Sequence, residues 1–368
     1  AHTGTVAEWI QEGRKLGAPP LAGVVADRWG SIAVKIMGRL PRRPAAAGMV
    51  VQDGSTDDAD WAGEVPYEEM AVAVNPDRGY VATANQQPVD PGDNGIYYGN
   101  NWPDPWRAIR LNTLLESGDA FTPDDMRKFQ TDPVSARVEW FLPWLLRAGG
   151  GHSVTVSESG VARDLLREWD GRYTITNERA ILFELVMDAL SRMLWDELRS
   201  AGVQATPSLA VMARLLEQPD SPWWDDRSTP EVEDRDALLA RALAAGHAAA
   251  VKSYGPAEGG GWRWGDVRPL TIPHLSGFVS FSATATPIHG GPGTLGPVTG
   301  EPFGASWRMV VELGSPMRAW TIYPGGQSGD PRSPWYRNRI PAWSAGRLEE
   351  VILPREPEEL EMGVDLIP

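Results

Sequence analysis

Apolar and polar positions along this chain recur with two different periods, and the change of period divides it into three stretches. In residues 5–16 the apolar side chains Val6, Trp9, Ile10 and Leu16 recur at helical spacing, which predicts an amphipathic helix running into Pro19-Pro20. Residues 21–38 are rich in β-branched and small apolar residues on either side of Asp27-Arg28-Trp29-Gly30. A β-hairpin with its turn at that cluster follows. Residues 39–62 are a Pro-, Gly- and Asp-rich loop. A second strand pair is expected over 70–84, turning at Asn75-Pro76-Asp77-Arg78-Gly79, and residues 85–105 form another long loop.

From Trp106 the period becomes helical. Trp106–Leu115 predicts one helix. Thr122 followed three residues later by Asp125 is a close relative of the capping box and predicts the start of the next. Helices are also expected over 134–147, 160–169, 179–200, 207–216 and 235–252. Beyond Gly259 alternation returns, and strands are expected within 268–286 and 305–324. The acidic tail after Leu348 is expected at the surface. Strands, then helices, then strands give an α+β protein rather than a doubly wound parallel sheet. The expected division is 1–110, 111–258 and 259–368.

Composition narrows the function. With 42% hydrophobic and 23% charged residues in 368, the chain can bury a large core. Its 49 acidic against 34 basic residues leave a net charge of -15, which repels nucleic acid and anionic membrane surfaces. There is no cysteine, hence no disulfide, thiolate metal site or cysteine nucleophile in these residues. No apolar run is long enough for a membrane helix: Ala180–Leu190 is interrupted by Glu184 and Asp188.

Most short motifs fail on inspection. The five histidines are scattered without zinc spacing. The runs Gly259–Gly261 and Gly290–Gly293 carry no lysine at phosphate-loop spacing. Ser328, within Gly326-Gln327-Ser328-Gly329-Asp330, lacks the last glycine of a nucleophile elbow and reads as a turn residue. Asp90, Asp93 and Asn94 share a loop and are weak candidates for oxygen ligands of calcium, against the plainer reading of a polar turn.

Two stretches carry a family likeness. In the first, Trp61-Ala-Gly-Glu-Val-Pro66 precedes Asn75-Pro-Asp-Arg-Gly-Tyr80, Ala84-Asn85-Gln86-Gln87-Pro88 and a helix with Arg107 and Leu114-Leu115. In the second, Gly304-Ala-Ser-Trp-Arg-Met309 precedes Pro324-Gly-Gly-Gln-Ser-Gly329, Ser333-Pro334 and Tyr336. The ordered set resembles the penicillin acylase family of N-terminal-nucleophile hydrolases, over the C-terminal two-thirds of its catalytic β-chain. Ala26-Asp27-Arg-Trp-Gly30, Leu165–Gly171 and Trp262–Leu275 are weaker echoes between. Ala22, Gln86, Arg268 and Trp335 depart from the pattern and bear on the substrate pocket.

The resemblance implies part of an αββα sandwich with an α-rich inserted layer. It implies a precursor that is exported to the periplasm or secreted and cuts itself into an α-chain and a β-chain. A β-chain N-terminal serine then hydrolyses a small N-acyl amide, its own α-amine taking the proton. Ala1 is not that serine. The resemblance therefore implies partners, namely an α-chain and the N-terminal part of the β-chain, and exposed apolar strand faces where they dock. The 368 residues alone are expected to be inactive, and no cofactor is expected in catalysis. Asn85 aligns with the family's oxyanion-hole asparagine and Arg107 with its supporting arginine. Arg110 competes for the latter role, and the plain reading of Arg107 is an exposed helix arginine paired with Asp104. A non-catalytic structural or binding subunit of the same fold is the alternative function.

Overall fold

A computed structural model describes residues 3–44, 47–90, 93–148, 156–296 and 305–351. The chain is α+β, with helices gathered around one large core and strands in three small antiparallel sheets.

Helix α1 (Val6–Glu12) starts at a capping box. Thr5 accepts from the Glu8 amide, and the Glu8 carboxylate reaches back to the Thr5 amide. Strands β1 (Leu21–Ala26) and β2 (Ile32–Met37) form the expected hairpin, and β2 also pairs with β3 (Val72–Val74). Asp27 closes the hairpin turn by accepting from the amides of Trp29 and Ser31. It also accepts from the Val6 amide at the start of α1. Those bonds, that of Val6 foremost, hold its carboxyl below its usual pKa. The second half of the strand pair read over 70–84 does not form. Residues 80–85 pair with no strand among the described residues. Tyr80 instead bonds Asn112 and Glu116 through its hydroxyl, and Asn85 adopts φ +67, which a continuing strand excludes.

The helical layer holds α2 (Trp106–Leu115), α3 (Pro123–Gln130), α4 (Ala136–Arg147), α5 (Val156–Arg167), α6 (Ala180–Leu194), α7 (Asp196–Ser200), α8 (Leu209–Leu215), α9 (Arg235–Tyr254) and α10 (Trp264–Val267). The predicted capping box opens α3: the Thr122 hydroxyl accepts from the Asp125 amide and the Asp125 carboxylate from the Thr122 amide. The run predicted over 179–200 breaks at Trp195 into α6 and α7. Helix α6 buries Ile181, Leu182, Phe183, Val186, Leu190 and Leu194, so it is apolar nearly all round and runs through the core. Helix α9 packs against it through Leu239, Ala242, Leu243 and Gly246. Among the described residues no helix is long and apolar enough to cross a membrane.

Strands β4 (Leu270–Ile272) and β5 (Ala283–Thr286) make one hairpin. A second joins β6 (Arg308–Glu312) to β7 (Arg318–Ile322), with β8 (Glu349–Glu350) at its edge beyond α11 (Ile340–Ser344). The acidic tail thus begins as an edge strand, and residues 352–368 lie outside the described residues. The β6–β7 hairpin is two-faced. Val310, Trp320 and Ile322 are buried, and Ile322 joins Trp343, Leu270 and Ile288 in a small core. Trp307, Met309, Val311 and Tyr323 are exposed on the other face, with the Trp307 and Tyr323 rings stacked. Leu21, Val24, Val72 and Val74 of the first sheet are exposed as well. Apolar side chains thus stand in water on two sheets.

Candidate active site

Helix α2 is fixed at its first residue. Trp106 is buried, packs edge-on to Phe141 on α4, and sits beside Trp140. Arg107, next along, therefore leaves a well-held turn. Its Nη2 donates to Oδ1 of Asn85 at 2.9 Å. The loop between them, residues 86–106, brings together two candidates that stand 22 positions apart. Asn85 is exposed in the left-handed region, one of the few non-glycine residues that tolerates it. Gln86, the departure from the family pattern, accepts the Ala84 amide through Oε1 and closes the turn that presents Asn85.

The pairing dictates the orientation of the Asn85 amide. A guanidinium has donors only, so the asparagine must offer it oxygen. Its Nδ2 hydrogens then point away from Arg107, and among the described residues they meet no acceptor. Arg107 itself pairs with no carboxylate among the described residues. Asp104, the partner expected on the plain reading, accepts from Trp106 Nε1 instead. Burial lowers the pKa of Arg107 from its ordinary value, but a guanidinium remains a cation at neutral pH. Arg110, three residues on, is held by Asp132 at 2.5 Å and by Glu139 at 3.5 Å, which gives it a structural task.

Arg107 also lines an open cavity of about 300 Å³, walled by Pro103, Asp104, Trp106, Arg137, Leu209 and Gly293 among others. Arg137 and Glu184, on α4 and α6, were not among the sequence candidates. They form an ion pair at 3.2 Å, with Arg137 buried and Glu184 partly buried, and the Tyr173 hydroxyl also donates to Glu184. A signal for the pair existed: Glu184 interrupts the most apolar helix of the chain, and Arg137 sits between Ala136 and Val138 on a buried face. A charge at a core position usually has a partner at another.

The remaining candidates stand elsewhere. Ser328 Oγ accepts the Asp330 amide, the Asp330 carboxylate is engaged by Arg332, and among the described residues no histidine or free carboxylate bonds Ser328. Asp90 and Asp93 are exposed, and Asn94 bonds Tyr98 and the Ile96 amide. Among the described residues no group of three or more His, Cys, Asp or Glu could hold a metal ion.

His289 gives the helical layer a pH dependence. Its Nδ1 accepts from the Ile175 amide at 3.3 Å, and burial, helped by nearby Arg172, lowers its pKa from 6.5. The folded state thus binds this proton more weakly than the unfolded chain does. The contribution is complete above pH 6.5 and is lost as the pH falls from there through the folded-state pKa. Tm should decline in that window, and His289→Gln, which keeps an acceptor but does not titrate, should flatten the decline. An unchanged slope in the variant would rule the assignment out.

Known proteins resemble this chain in family and fold. The penicillin amidase family profile matches residues 1–359. An acyl-homoserine lactone acylase QuiP of Pseudomonas syringae pv. syringae (strain B728a) is 28% identical over 392 residues, 95% of this chain and 46% of that protein. A penicillin acylase 2 proenzyme of Pseudomonas sp. (strain SE83) is 27% identical over 92% of this chain and 45% of its own. The chain thus spans about half the length of the curated relatives it matches. A thermostable penicillin G acylase from Alcaligenes faecalis superposes with a TM-score of 0.64 at 18% identity, covering 98% of this chain and 70% of that one, and so shares the fold. By the profile that runs along nearly all of it, the chain belongs to the penicillin amidase family.

Proposed function

We propose that the complete protein carrying this chain hydrolyses the N-acyl bond of a small amide, with Asn85 as oxyanion donor and Arg107 as its support. The observation that carries this reading is the orientation of Asn85. Its oxygen is occupied by Arg107, and both Nδ2 hydrogens are left for an oxygen that gains negative charge as the amide carbonyl is attacked. Arg107 adds an unpaired positive charge next to that position. The nucleophile in this reading is an N-terminal serine outside these 368 residues, exposed when a precursor cuts itself. The exposed faces of β1–β3 and β6–β7 are the surfaces on which the rest of that protein docks, in the periplasm or outside the cell. The names of the relatives support acylated homoserine lactones and penicillins as first substrates to try.

The test has two arms. The complete protein should release homoserine lactone or the β-lactam nucleus from at least one member of an acyl-chain panel, whereas the 368-residue polypeptide alone should cleave none. Activity of the isolated polypeptide on a chromogenic anilide, lost on Ser328→Ala, would overturn the reading in favour of an internal nucleophile.

A further inference from the structure

We propose that the Arg137–Glu184 pair is a positioning unit for the Asn85–Arg107 site, tying the turn at residues 290–294 to the first turn of α2. This rests on the functional reading above. The connection is continuous. Arg137 Nη1 and Nη2 reach both oxygens of Glu184 at 3.2 to 3.4 Å, and Nη1 also donates to the Pro292 carbonyl at 3.2 Å. Gly293, next in the chain, has φ +76. A Cβ there would stand 2.8 Å from Ser135 Oγ, 2.9 Å from Arg137 Cδ and 3.2 Å from Trp106 Cβ. The turn therefore packs closely against Arg137 and Trp106, with no room for a side chain at position 293. It is held from behind too: the Gly290 amide donates to the Tyr173 carbonyl at 2.7 Å, and Trp264 Nε1 donates to the Gly290 carbonyl at 2.8 Å. Trp106 then sets where Arg107 leaves the helix, and Arg107 sets the Asn85 amide.

Stability does not explain the pair. Burial works against the Arg137 charge, and Glu184 with Tyr173 outweighs it, so the guanidinium stays ionised. An apolar pair of similar volume commonly serves a core as well or better. What apolar groups lack is direction. The guanidinium fork fixes one carboxylate and one carbonyl in a single geometry, and that carbonyl belongs to the cavity wall. Arg137 is engaged by Glu184, whereas Arg107, on the same cavity wall as Asp104, pairs with no carboxylate among the described residues.

The experiment uses the complete protein. The double substitution Arg137→Met with Glu184→Leu removes the directional hold without leaving a buried charge. It should fold with a Tm somewhat below that of the parent, because the Tyr173 hydroxyl loses its acceptor and the Pro292 carbonyl a donor. Its kcat should fall about 10- to 100-fold with KM little changed, since misplacing a supporting group by about 1 Å can cost that much. Amide hydrogen exchange at residues 106–110 and 290–294 should accelerate in the same variant. If the double variant does not fold, Gly293→Ala, which inserts a methyl group between Arg137 and Trp106, should show the same fall in kcat. A folded variant with parental kcat and parental exchange at both segments would overturn the proposal. If the parent cleaves no acyl amide, the functional reading fails instead, and the exchange measurement alone decides whether the pair holds the two segments.

Discussion

Replacing Asn85 by glycine should lower turnover of the complete protein by about 10²- to 10³-fold and leave its folding midpoint unchanged. A single preorganised donor to a developing oxyanion is worth about 3–4 kcal/mol, because the charge it meets exists only near the transition state. Glycine is the informative substitution here, rather than alanine. Asn85 sits at φ +67, where glycine is at home and alanine is strained by about 1 kcal/mol. Asn85→Gly thus removes the amide without straining the turn, and Asn85→Ala should add a small loss of stability to the same loss of rate. Asn85→Asp separates the two halves of the side chain. It keeps an oxygen for Arg107 but offers no donor to the substrate, and it should be as inactive as glycine. Near-parental kcat for Asn85→Gly, measured on the substrate that the parent cleaves best, would remove Asn85 from the mechanism.

The largest expected loss of stability comes from one added methyl group, in Gly246→Ala. Helix propensity favours alanine here by about 1 kcal/mol, since Gly246 lies in the interior of α9. Packing opposes it. The new Cβ would stand 2.5 Å from Val186 Cγ2 and 2.7 Å from both Cα and N of Val186 on α6. A side-chain atom can rotate away, but two of the three contacts are backbone, so α6 and α9 must separate along the centre of the core. Overpacking of that kind costs about 3 kcal/mol or more, which leaves a net loss of about 2 kcal/mol after the propensity gain. The urea midpoint should fall with its slope unchanged. Adding Val186→Ala should restore little, because it removes only the Cγ2 contact. A midpoint raised by Gly246→Ala would show that the helices do not approach this closely.

What this sequence determined by itself is local. The hairpin at Asp27–Gly30, the capping box of Thr122 and Asp125 and the period of the helices were legible because their partners lie within a few positions of each other. The α+β class followed from the order of those elements. Family motifs marked Asn85 and Arg107, and the spacing from Pro88 favoured Arg107 over Arg110, although residues three apart share a helix face. Only tertiary structure shows what each arginine meets. Asp132 and Glu139 engage Arg110, while the loop from residue 86 to 106 folds back to set Asn85 against Arg107. It also ended the second strand pair at β3, because the Tyr80 hydroxyl finds α2 and Asn85 turns left-handed. The Arg137–Glu184 pair spans 47 positions and the Arg137–Pro292 bond 155. No local pattern specifies such contacts, because each depends on where whole helices come to rest once their apolar faces are buried.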